Sequence, residues 1–125
     1  MKKEYCFYVY IMSNYKRTVF YTGLTNNIVR RTIEHQSGYG SEFTRKYKLA
    51  YLIYFEEYQY IGDAINREKE IKGWLRKKKV NLIKSTNSNL IDLSEDLFKD
   101  FGIKKEDIDE IKKELDPSLK LRMTK

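Results

Sequence analysis

At 125 residues the chain can bury one modest core and leaves no room for a second full domain. Its charge is lopsided, with 17 Lys/Arg against 8 Asp/Glu over residues 1–90 and 8 against 10 beyond, so a body of about +9 adjoins a tail of about −2. The basic body favours nucleic acid as partner, with a solvated lysine surface as the alternative. A lone cysteine excludes an intrachain disulfide, and a lone histidine excludes a zinc-finger ligand set. No signal-peptide h-region and no apolar run of about eighteen residues occurs, so a soluble cytoplasmic protein is expected.

Residues 5–12 (YCFYVYIM) are aromatic and β-branched and predict a strand, with Tyr8, Tyr10 and Met12 on one face and Phe7, Val9 and Ile11 on the other. Cys6 reads as a small buried side chain with no assigned role. The polar stretch from Ser13 to Lys16 predicts a turn and residues 18–23 a second strand, paired back as a hairpin. Asn26 or Asn27 caps a helix reaching about Ser37, with Gly38 at its exit. Ile28, Arg31 and His35 then fall on one helical stripe beside Val29 and Ile33.

From Tyr39 to Lys48 the glycine-containing basic stretch predicts an exposed loop, and Ala50–Phe55 a third strand. A helix is expected from about Ile61 to Leu75, in which Ala64, Glu68, Ile71 and Leu75 share the core-facing stripe. A carboxylate there needs a partner, because an unpaired buried charge is costly. Arg76–Lys79 opens a further basic helix ending near Ile83, and residues 85–89 form a polar turn. Between Ile103 and Leu115 the stripe Ile108, Ile111, Leu115 predicts a short acidic helix packed on the body or on a partner. The expected organisation is an α/β domain over residues 1–93, a small three-stranded and mostly antiparallel sheet flanked by helices, followed by an acidic helical tail over 94–125.

In order, these elements resemble the GIY-YIG endonuclease superfamily, in particular its small stand-alone bacterial members similar to the nuclease domain of the excision-repair subunit that makes the first incision. Tyr8-Val9-Tyr10 stands for GIY and Tyr21-Thr22-Gly23 for YIG; Arg31 follows Gly23 by eight residues and His35 follows Arg31 by four. Arg67-Glu68-Lys69-Glu70-Ile71-Lys72-Gly73-Trp74 resembles the REKxIKxW helix of that branch, and Asn87 before Asp92-Leu93 its NPxWxDL segment. Tyr8, Val9, Ser88 and Leu90 depart from the pattern.

The resemblance implies a metal-dependent DNA endonuclease, acting in repair or recombination, with Mg²⁺ or Mn²⁺ held by Glu68. It makes Tyr10 a general base or water-positioning group, Tyr21 its neighbour, Arg31 the stabiliser of phosphorane charge and His35 an aid to proton transfer. Asn87 completes the set, with a turn or cap role as its alternative. Thr44, Arg45, Lys46 and Tyr47, together with Arg76, Lys77, Lys78 and Lys79, form two clusters suited to gripping the DNA backbone. A binding module with little catalysis is the competing reading, and the tail is a candidate docking element for a protein partner.

Overall fold

Strand β1 (Phe7–Ser13) runs down the middle of the sheet because both of its faces are apolar. β2 (Phe20–Thr25) and β3 (Tyr51–Tyr58) flank it, both antiparallel, in the order β2-β1-β3. The computed structural model describes residues 6–116; the expected strand start at Tyr5 and residues 117–125 of the tail lie outside it.

One face of the sheet presents Tyr8, Tyr10 and Met12 to Ile28, Val29 and Ile33 of helix α1 (Ile28–Gln36) and to Leu49 and Leu52. The other presents Val9 and Ile11 to Ala64 and Ile71 of a helix that, after α2 (Glu42–Lys46), is α3 (Ile61–Lys72), and to Ile83 of α4 (Arg76–Thr86). The period-two alternation of β1 thus feeds two cores. Each fully buried Ile, Leu or Met contributes about 1.5–3 kcal/mol.

The acidic C-terminal segment joins the first core. Leu97 of α5 (Ser94–Asp100) is buried in it, and Ile108, Ile111 and Leu115 of α6 (Lys105–Leu115) pack against it. α6 lies along α1, where Arg30 Nη1 meets Glu114 Oε1 at 2.6 Å. The outer edge of β3 is covered by the chain leading to α5. Asn87 Nδ2 donates to the Ile53 carbonyl at 3.0 Å, Leu52 N–H donates to Asp92 Oδ1 at 3.2 Å, and Leu93 N–H donates to the Leu52 carbonyl at 2.7 Å. At Leu52 and Ile53 the edge is thereby closed to another strand.

Four expectations need correction. The stretch expected as an exposed loop contains α2, capped by Ser41, whose hydroxyl accepts from Thr44 N–H, and Thr44 is buried rather than displayed. Helix α3 stops at Lys72 with Gly73 as its cap, so Leu75 leaves the core stripe and is 83% exposed at the start of α4. β3 continues through Glu56 to Tyr58, because Arg67 and the Tyr54 and Tyr58 hydroxyls satisfy the Glu56 carboxylate. Helix α4 runs on to Thr86, into the expected polar turn.

Candidate active site

The first piece of the site is set by strand register. Tyr10 pairs with Gly23 across the β1–β2 ladder, and its ring lies over that glycine. A Cβ at position 23 would fall 2.5 Å from both Tyr10 Cζ and Oη, so only a residue without a side chain leaves the ring its place. From there the Tyr10 hydroxyl reaches His35 Nε2 at 2.9 Å.

His35 is aimed by α1. Asn27 caps the helix by accepting from Arg30 N–H, and Ile28, Val29, Thr32 and Ile33 bury one side of it, which turns His35 toward the sheet. Gly38, at φ 80°, carries the chain out of the helix and back over the imidazole. Gly40 and the Thr44 hydroxyl then close over His35, with no room for a Cβ at Gly40.

Burial governs the titration of this pair. The Tyr10 phenol, 1% exposed, is held well above the usual tyrosine range, mainly by desolvation and against the pull of the Arg31 charge. Desolvation, with Arg31 adding to it, lowers His35 to about 4. At neutral pH the pair is a neutral phenol against a neutral imidazole. Among the described residues Nδ1 of His35, which is buried, has no hydrogen-bond partner, an unmet polar atom of the kind found at reactive sites.

Around the pair stand the other groups. Tyr21 on β2 is half-buried, its ring centroid 6.4 Å from Tyr10 and 5.9 Å from His35. Arg31 is one turn from His35 on α1; its side chain is 40% exposed and its Nε lies 3.2 Å from Glu34 Oε1. Arg30 shares Glu34 at 3.3 Å, so the carboxylate sits between two cations. Glu68 comes from α3 on the opposite face, yet its charge is felt at Tyr10, because α3 packs across β2 and β1 and the site straddles the β2 edge. The Glu68 side chain is 19% exposed, and its partner is Lys72, with Nζ 3.2 Å from Oε2.

Tyr10, Tyr21, Arg31, His35 and Glu68 therefore converge, whereas Asn87 does not join them. It is buried at the β3 edge, two strands from β2, and its amide is spent on main chain. Besides the Ile53 bond, Nδ2 donates to the Ile91 carbonyl at 2.8 Å, and Oδ1 accepts from Ile91 N–H at 3.1 Å.

Of the basic clusters, the α2 one borders the site. Phe43 lies 6.3 Å from the Tyr21 ring and 4.8 Å from Tyr47, with Arg45 and Lys46 exposed beside them. The other begins at the hairpin turn, where Arg76 donates to the Arg17 and Thr18 carbonyls at 2.6 and 2.9 Å; Lys77 and Lys78 remain exposed and Lys79 is half-buried. Phe43, Gly40 and Lys72 were given no role from sequence. Only Lys72 had a readable signal there, its position four residues after Glu68 on a helix.

Among the described residues no group of three His, Cys, Asp or Glu side chains gathers, and no helix is long and apolar enough to cross a membrane. A single carboxylate suits Mg²⁺ or Mn²⁺, which keep water and phosphate oxygens for most of their coordination.

The GIY-YIG catalytic domain family matches residues 6–81. A UPF0213 protein of Natronomonas pharaonis is 40% identical over 76 residues, covering 61% of this chain and 88% of that protein. One from Staphylococcus saprophyticus is 37% identical over 76 residues, covering 61% and 92%. The solution NMR structure of a UPF0213 protein from Bacillus halodurans is similar at 30% identity and TM-score 0.46, covering 67% of this chain and 88% of that one. The match spans every converging residue, and the chain belongs to the GIY-YIG family, a nuclease superfamily.

Proposed function

We propose that the protein is a metal-dependent endonuclease that hydrolyses DNA phosphodiester bonds. The observation that carries this reading is the buried Tyr10–His35 hydrogen bond, 2.9 Å long and placed beside Arg31 and Glu68.

The high affinity of Tyr10 for its proton argues against a standing phenolate as base. Tyr10 instead relays a proton. Its oxygen accepts a proton from the attacking water while its own proton passes to Nε2 of neutral His35, whose other nitrogen already carries one. Arg31 opposes the imidazolium until a phosphate arrives; pairing of the guanidinium with a non-bridging oxygen removes that opposition and stabilises the charge that grows there. Tyr21 stands beside the pair. Glu68 would hold the divalent ion, which when bound supplies charge neutralisation at the phosphate. The departing oxygen takes its proton from solvent. Arg45, Lys46 and Tyr47 flank the site and suit the DNA backbone, and a role in repair or recombination fits contacts that carry no sequence preference.

The test is cleavage of labelled branched, nicked, single-stranded and duplex DNA with Mg²⁺ or Mn²⁺. Arg31→Ala and Glu68→Gln are each expected to lower the rate by about a hundredfold or more. Salt-sensitive binding by the wild type with no cleavage of any substrate would replace the nuclease by a binding module.

A further inference from the structure

Helix α3 brings both an anion and a cation to the site. Glu68 and Lys72 are four residues apart in the favourable order, acid before base, and the ammonium lies 3.2 Å from Oε2. The nearby carboxylate of Glu70 is taken by Arg67 at 2.6 Å. The same ammonium sits 6.0 Å from the centroid of the Tyr21 ring. Lys72 thus stands where Glu68, Tyr21 and, through the charge of Glu68, Tyr10 meet.

We propose that Lys72 is the resident counter-cation of Glu68 and that a divalent ion enters the site by displacing it. The inference rests on the nuclease reading, in which Glu68 receives the metal. A divalent ion and an ammonium on one carboxylate repel each other more than two monovalent cations do, and across a few ångströms that repulsion is strong outside bulk water. The two side chains differ in what they can give up: Glu68 is 19% exposed on a short side chain, whereas Lys72 is 50% exposed on a flexible four-carbon stem. Lys72 therefore moves. In the metal-free protein it keeps the half-buried carboxylate paired; once displaced, it leaves an ammonium at the Tyr21 ring, facing an incoming phosphate.

The experiment is Mn²⁺ binding to metal-free full-length protein, followed by calorimetry and by the electron paramagnetic resonance of free Mn²⁺. Wild type is compared with Lys72→Met, Lys69→Met and Glu68→Gln, each checked for an unchanged circular dichroism spectrum. Lys72→Met should bind Mn²⁺ roughly two- to fivefold more tightly, the range an ion pair of this exposure commands. Lys69→Met, which removes an exposed charge from the same helix, should match wild type. In the wild type, Mg²⁺ titration should also shift the Lys72 side-chain Cε resonance, and it should not do so in Glu68→Gln. Equal or weaker Mn²⁺ binding by Lys72→Met, with Glu68→Gln deficient, overturns this inference alone. Equal binding by wild type and Glu68→Gln overturns the metal placement beneath it as well.

Discussion

Gly23→Ala adds one methyl group where the Tyr10 ring already lies. The new carbon would sit 2.5 Å from Cζ and Oη and 2.8 Å from Cε1, against an ordinary carbon contact of about 3.5–4.0 Å. The ring must retreat by about 1 Å, and at 1% exposure it has nowhere open to go. Such a retreat stretches or tilts the 2.9 Å bond to His35 beyond useful range. Overpacking costs about 1–3 kcal/mol and the lost buried bond about 1 more. The expected total, about 2–4 kcal/mol, corresponds to a fall in Tm on the order of 10 °C for a domain of this size.

Urea midpoints at constant m-value measure the loss, and the His35 side-chain nitrogen shifts report whether the bond survives. The control is Gly62→Ala. That helical glycine has open space around its missing Cβ, so alanine should be neutral or stabilise by up to about 1 kcal/mol. If Gly23→Ala proved as stable as Gly62→Ala and kept both the His35 shifts and the cleavage rate, the steric account of this glycine would be wrong.

Acid should weaken the fold through His35. Its pKa falls from 6.5 to about 4 on folding, so between those values the unfolded chain binds more protons. The contribution is fully present above about pH 6.5 and is lost as pH drops toward 4, amounting to about 3 kcal/mol. Urea midpoints across that window should fall more steeply for wild type than for His35→Gln, and parallel curves would remove His35 as the cause. Asn87→Ala strips three bonds to main chain, one to Ile53 on the β3 edge and two to Ile91, and should cost about 2–4 kcal/mol while leaving the cleavage rate per folded molecule within about threefold. A hundredfold rate loss with the urea midpoint unchanged would return Asn87 to the chemistry.

The order β1, β2, α1, β3, α3, α4, α6 was legible because each element carries a periodic apolar face or a cap. The alternation in β1 and the Asn27 cap are local signals that tertiary structure did not override. α2 and α5 were not legible. They have five and seven residues, too few to show a stripe, and α2 lies among glycines and polar residues that read as loop. The far end of α3 was misjudged because the stripe was carried past Gly73 to Leu75.

At the site, the ordered motifs and the resemblance they carry make Tyr10, Arg31, His35 and Glu68 candidates, but do not show how they meet. The sequence shows Gly23 as the last residue of the expected second strand, and only the β1–β2 register turns it into the seat of a tyrosine ring. Asn87 misled for the opposite reason, since an amide suited to chemistry is equally suited to latching an edge strand.

The family match ends at residue 81, inside α4, while Leu97 and the apolar side chains of α6 close the core over α1. During synthesis, the helix that carries Arg31 and His35 leaves the ribosome long before the segments that cover its back. Until α5 and α6 emerge, the core on the α1 face of the sheet lacks Leu97 and the apolar side chains packed against it. A chain halted after α4 would carry the residues matched to the family beside a core still open on the α1 side.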